Sequence, residues 1–171
     1  GGYTVPNMFD RAIKKKFVAG KYDIIHTHHP MLMGHTAMHL ARHFDVPLTF
    51  TYHTRYEEYL HVVLPEYANK DRDNSLTYKT AEKIVKKHNR AFANKCNMVF
   101  APSPEIRDYL IRENVHKRVE VLPTGLADAD FVYDQERAKA LRDELDCPNV
   151  FICVSRLEKE KNFSFMLRAL A

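Results

Sequence analysis

Seven consecutive residues, His53-Thr54-Arg55-Tyr56-Glu57-Glu58-Tyr59, crowd an imidazole, a guanidinium and two carboxylates into a short span. That is about two turns of helix if the stretch is helical. An imidazole near neutral pH can donate or accept a hydrogen bond or move a proton. A guanidinium grips carboxylate or phosphate oxygens through a planar fork. The preceding residues, Leu48-Thr49-Phe50-Thr51-Tyr52, are β-branched or aromatic for the most part and short enough for a buried strand. Open α/β sheets bind ligands beyond the carboxyl ends of their strands. His53 is therefore a candidate catalytic residue, the alternative being a histidine that caps the next helix or satisfies a loop carbonyl.

Other stretches carry chemistry too. Thr27-His28-His29-Pro30 follows the short apolar run Tyr22 to His26, and parallel neighbours would bring His29 to the same sheet edge as His53. His26 itself reads as a residue of the strand core. In Val154-Ser155-Arg156-Leu157-Glu158-Lys159-Glu160-Lys161-Asn162, Arg156 and Lys161 can both reach an anion above the strand that precedes them. The same run also fits a solvated charged loop.

His35, His39 and His43 recur every four residues, a spacing that lets neighbouring imidazoles share a zinc ion. The glutamate of the H-E-x-x-H pattern is absent, so solvated helix histidines are the plainer reading and no metal is expected. Leu76 to Asn94 shows two helical stripes. Ala81, Ile84, Val85, His88 and Phe92 make the packing stripe; Lys79, Lys83, Lys86, Lys87 and Arg90 make a basic one. Such a helix can lie on an anionic membrane or form the surface of a soluble enzyme.

These groups need a frame, and strand and helix patterns alternate along the whole chain. Helices are expected at Met8 to Ala19, Leu32 to Phe44, Arg55 to His61, Leu76 to Asn94 with Ser75 or Thr77 as its cap, Pro104 onward, Asp134 to Leu145 and Asn162 onward. Strands are expected at Tyr22 to His26, Pro47 to Tyr52, Asn97 to Ala101, Arg118 to Leu122 and Asn149 to Ser155. Ser103 before Pro104 is a strong helix-start signal, and Glu66 to Asn74 reads as a polar loop. The alternation predicts a parallel α/β sheet, Rossmann-like, with helices on both faces. A boundary near Pro123-Thr124-Gly125 divides residues 1–125 from a linker and the start of a second Rossmann-like domain in 126–171.

With 171 residues, 45% of them hydrophobic, the chain can bury a core. A net charge of +4 gives no nucleic-acid footprint. Cys96, Cys147 and Cys153 suit a reduced, cytoplasmic protein, and no apolar run is long enough to cross a bilayer. The start at Gly1-Gly2-Tyr3 and the stop at Ala171 within a helical pattern suggest a piece of a larger protein.

Thr51 to Tyr59, Ala101-Pro102-Ser103-Pro104, Val121-Leu122-Pro123-Thr124-Gly125-Leu126 and Ser155 to Asn162 together resemble family-four retaining glycosyltransferases of the GT-B fold. His26 to Pro30 with the Tyr-His-Thr and Tyr-Glu-Glu-Tyr run most resembles the bacterial diacylglycerol glucosyltransferases of that family. The resemblance implies transfer of a hexose from a nucleotide-sugar, UDP-glucose, to a lipid such as diacylglycerol, with retention and without a cofactor or required metal. It implies that Arg156 and Lys161 hold the donor diphosphate, that His53 approaches the donor sugar, and that Gly125 lies where backbone meets ligand. His29, Tyr56, Glu57 and Tyr59 fall on the acceptor side, and the basic helix faces an anionic membrane, at the inner face of the cell membrane. Residues 1–125 then form most of the acceptor-side domain, and 126–171 begin the nucleotide-sugar-binding domain. The family's glycine-rich first loop would precede this sequence and its Glu-x7-Glu element would follow it, so the isolated piece is expected to be inactive. A family member with a soluble acceptor, or a His-rich metal-binding module, are the competing readings.

Overall fold

The computed structural model describes residues 11–60, 75–145, 147–157 and 161–170. The chain divides into two compact units, Gly1–Gly125 and Leu126–Ala171. In the first, β1 (Ile25–Thr27), β2 (Leu48–Thr51), β3 (Met98–Ala101) and β4 (Val119–Val121) form a parallel sheet in consecutive order. Its register pairs His26 with Thr49, Thr49 with Met98, and Val99 with Val119. Helix α1 (Arg11–Gly20) precedes the sheet, while α2 (Met33–Phe44), α3 (Leu76–Ala93) and α4 (Pro104–Arg112) connect successive strands. The expected parallel, Rossmann-like α/β sheet is what the chain forms.

Parallel neighbours need crossovers, and right-handed crossovers between consecutive strands put their helices on one side. The core follows that rule. Leu48, Phe50, Val99 and Ala101, alternate residues of β2 and β3, pack with Met38 and Ala41 of α2, Phe92 and Ala93 of α3, and Leu110 of α4. Phe50 is fully buried, its ring edge-on to Phe92 at 5.2 Å, and burying such a side chain stabilises by about 2–3 kcal/mol. The opposite face of the strands carries His26, Thr49, Thr51 and Phe100.

Local signals set the helix ends. The Ser75 hydroxyl accepts from the Tyr78 N–H at 3.2 Å and the Ser103 hydroxyl from that of Ile106 at 3.4 Å. Pro104 occupies the first turn of α4. Asp45 ends α2 in the left-handed region at φ 54°, where its short polar side chain is tolerated. The expected helix after Arg55 is a 3-10 turn, Tyr56–Tyr59. Met8, Phe9, His61, Glu66 to Asn74 and Glu158 to Glu160 lie outside the described residues.

Two expectations need correction. In α3 the buried residues are Tyr78, Asn89, Phe92 and Ala93, whereas Ile84 is 63% exposed and His88 half-buried. Each residue advances the helix by about 100°, so a face centred on Tyr78, Val85, Asn89 and Phe92 turns Ile84 outward. A stripe drawn from apolar residues alone overlooks inward-facing Tyr78 and Asn89.

The second unit holds a 3-10 turn, Asp128–Phe131, and helices α5 (Gln135–Leu145) and α6 (Phe163–Leu170). Asp134 caps α5, its carboxylate accepting from the Arg137 N–H at 2.9 Å. The strand expected at Asn149 to Ser155 is not formed, and Phe151, Ile152 and Val154 are exposed. A strand needs a neighbour for its backbone donors and acceptors, and the described residues of this unit include no second strand.

A candidate active-site edge at the ends of β1 and β2

Strands β1 and β2 run side by side, with Thr27 opposite Phe50, and end at the same edge. The segment after β1 carries His28 and His29; the segment after β2 carries His53. The structure brings His28, not His29, to His53. His28 Nδ1 lies 2.9 Å from His53 Nε2, and the rings stack with centroids 5.0 Å apart. His29 turns the other way: its Nδ1 lies 3.0 Å from the Met31 carbonyl oxygen and its ring stands edge-on to Tyr56 at 5.3 Å. A parity signal for His28 was present in the sequence. His26 and His28 alternate on one face of a strand, as do Thr49, Thr51 and His53, and the register sets these two rows side by side.

Below this pair, His26 is tied into the sheet. Its Nδ1 lies 2.7 Å from the Thr49 hydroxyl and its Nε2 2.9 Å from the Thr51 hydroxyl. Its ring also meets that of His28 edge-on at 4.6 Å. Partial burial and the neighbouring His28 hold the His53 imidazole below the usual histidine value. Burial, then His28 and His53, do the same to His26. At neutral pH His26 and His53 are therefore uncharged imidazoles, groups that exchange hydrogen bonds with hydroxyls without an ionic cost.

The loop bearing His28 is pinned from several sides. The Thr27 hydroxyl and the His29 N–H lie 3.3 Å apart, and the His88 ring of α3 reaches the Pro30 carbonyl at 3.1 Å. Leu32 adopts φ 40°, ψ −100°, a strained backbone state that its surroundings must hold. Gly34 permits the close approach of α2: a Cβ there would sit 2.0 Å from the His29 carbonyl oxygen.

The segment bearing His53 is anchored by Glu57, whose side chain is only 1% exposed. Its carboxylate accepts from the Tyr52 hydroxyl at 3.3 Å, from the Tyr109 hydroxyl of α4, and from Arg55 Nε at 3.4 Å. Arg55 also pairs with Glu58 at 3.0 Å and lies over the Tyr109 ring at 4.5 Å. Burial first, and the Glu57 carboxylate with it, push the Tyr52 and Tyr109 hydroxyls up, so both stay protonated donors. Tyr56 and Tyr59 are half-buried on the same turn.

On α3, Lys79, Lys83 and Lys87 are exposed, together with Leu76 at 80% and Ile84 at 63%. Lys86 is half-buried and paired with Glu82 at 2.8 Å, and Arg90 is half-buried. The outward face is thus cationic and partly apolar. In the helix α2, His35 packs its ring against His88 and Phe92, whereas His39 stacks on His43. Among the described residues no group of three or more histidine, cysteine or acidic side chains is placed to hold a metal ion. In the second unit Arg156 and Lys161 are exposed. Gly125, which closes the first unit, has open space where a Cβ would be. No helix among the described residues is long and apolar enough to cross a membrane.

Comparison with known proteins identifies the family. Residues 2–129 match the model of Glycosyltransferase Family 4. The chain is similar to the alpha-monoglucosyldiacylglycerol synthase of Streptococcus pneumoniae, 31% identical over 171 residues, covering 95% of this chain and 36% of that protein. It is also similar to the alpha-monoglucosyldiacylglycerol synthase of Acholeplasma laidlawii, 28% identical over 168 residues, covering 95% of this chain and 41% of that protein. The chain therefore spans about two fifths of the length of these curated relatives.

Proposed function

Since the chain belongs to glycosyltransferase family 4, we propose that the protein it represents transfers glucose from UDP-glucose, with retention, to diacylglycerol at an anionic membrane surface. The observation that carries this reading is the histidine edge beyond β1 and β2 in a family-4 sequence whose similar relatives bear a glucosyldiacylglycerol name. Neutral His53 supplies a hydrogen bond to the donor sugar. Arg156 and Lys161 neutralise the diphosphate as it leaves, the point at which preorganised positive charge lowers a barrier most. Gly125 allows backbone to approach the ligand, and His29, Tyr56, Glu57 and Tyr59 belong to the acceptor side, with Glu57 acting from inside the fold. In this reading residues 1–125 are acceptor-side and 126–171 donor-side.

Docking falls to α3. Lys79, Lys83 and Lys87 face outward beside Leu76 and Ile84, a combination that suits the interface of an anionic leaflet, here the inner face of the cell membrane. Each cation near such a surface contributes about 1 kcal/mol. Lys86 and Arg90 flank this face, and Lys86 spends part of its charge on Glu82.

The test uses the full-length protein with UDP-glucose, diacylglycerol and anionic vesicles, following glucolipid formation. Arg156→Ala should lower transfer about a hundredfold, in the range for losing one transition-state charge contact. Lys83→Glu with Lys87→Glu should release the protein from vesicles while leaving binding of UDP-glucose intact. Donor binding without lipid transfer would replace diacylglycerol by a soluble acceptor; no donor binding would end the proposal.

A further inference from the structure

The contact between His28 and His53 carries more than proximity, because a hydrogen bond between two ring nitrogens holds a single hydrogen. His28 Nδ1 and His53 Nε2 are 2.9 Å apart, so one nitrogen donates and the other accepts. The state of one ring then dictates the tautomer of the other. Neighbouring His26 cannot take over this task, since its two nitrogens lie within 2.9 Å of the Thr49 and Thr51 hydroxyls. It supports His28 instead, ring edge against ring at 4.6 Å. Among the described residues, Nδ1 of His53 has no hydrogen-bond partner, and the side chain is exposed.

We infer that His28 is a positioning residue for His53: its Nδ1–H donates to His53 Nε2, which holds neutral His53 in the Nδ1–H tautomer with that N–H turned to the ligand. The assignment rests on the proposed role of His53 at the sugar donor. Its chemical reason lies in the donor itself. Phosphate oxygens only accept hydrogen bonds and sugar hydroxyls accept readily, so an outward N–H serves every oxygen that a nucleotide-sugar presents. The opposite arrangement would present a bare nitrogen, which repels phosphate. Stacking of the two rings at 27° fixes the plane of His53 as well as its tautomer. This is the relation by which a second group, bonded to one imidazole nitrogen, sets the protonation of the other.

The test combines nitrogen NMR of histidine-labelled full-length protein with transfer kinetics. The His53 ring signals are identified by their loss in His53→Ala. In the unmodified protein at pH 7.5, His53 should be the Nδ1–H tautomer. His28→Ala should release it to a tautomer mixture and lower kcat for UDP-glucose about tenfold, the weight of one hydrogen bond. His28→Asn, whose amide N–H replaces that of Nδ1, should restore both. Because His28 is exposed, these changes should leave the unfolding transition in place. An Nε2–H tautomer in the unmodified protein, or a His53 signal indifferent to His28→Ala, overturns the inference. If His53→Ala does not alter UDP-glucose turnover, the donor role of His53 fails and the positioning role fails with it. If His53→Ala matters and His28→Ala does not, only the positioning role fails.

Discussion

Glu57 is a buried carboxylate whose oxygens are within reach of two tyrosine hydroxyls and one guanidinium nitrogen. Removing it would take this acceptor from the Tyr52 and Tyr109 hydroxyls, which lie largely inside the fold, and that costs more than the bonds contribute when made. Glu57→Ala should therefore destabilise the fold by about 3 kcal/mol. Glu57→Gln, which still accepts from one hydroxyl, should lose about 1 kcal/mol. Urea unfolding of the two variants checks the order; equal losses would mean that the amide oxygen of glutamine does not replace the carboxylate as an acceptor. The same residue shows where residue-level reading stops. The Tyr-Glu-Glu-Tyr run announces carboxylates near a sheet edge, but which of Glu57 and Glu58 turns inward depends on Tyr109, fifty-two positions away.

At the scale of elements, the strands of the first unit and the helices between them were legible because their signals are local. Ser75 and Ser103 cap the helices they precede, Leu48 and Phe50 alternate with threonines along β2, and β3 is a short continuous apolar run. The facing of α3 was not legible, since Tyr78 and Asn89 are buried by neighbours that the helix pattern does not contain. The packing of α2 against the His28 loop is the point where an element directly serves the site. Gly34→Ala would drive a methyl group to 2.0 Å from the His29 carbonyl oxygen and 3.1 Å from the Phe92 ring, and the closest of these atoms is backbone. We expect α2 to shift, a loss of about 2 kcal/mol in stability, and a weakened His28–His53 contact. Thermal unfolding and the His53 ring signals would register the two effects; an unchanged melting curve would show that the loop adapts at no cost.

The molecule as a whole should feel its histidines when the pH falls. His26, His35 and His53 all lie below the usual histidine value of 6.5, each chiefly through burial. His28 adds to this for His26 and His53, and His88 with Lys95 for His35. Their folded forms bind protons less readily than the unfolded chain, so the unfolded chain holds more protons in the window below 6.5. Stability from this source is complete above that value and is lost as the pH drops toward the lowered folded values. Urea midpoints should fall between about pH 7.5 and 5.5, above the range in which ordinary carboxylates titrate. His26→Asn should flatten the slope, and a flat profile in the unmodified protein would refute the account.

By itself the sequence determined the succession of strands and helices along the first unit, the helix start at Ser103, the parallel sheet and the edge at which a site must lie. These follow from side-chain alternation, turn residues and neighbours within about one helical turn. Tertiary structure decided which side chains meet there. It put His28 rather than His29 against His53 across twenty-five positions and turned Glu57 into the fold. It also faced Ile84 to the outside and left residues 149–155 without a ladder. Each outcome depends on contacts between segments distant in the chain, and a strand in particular exists only where another strand completes its hydrogen bonds.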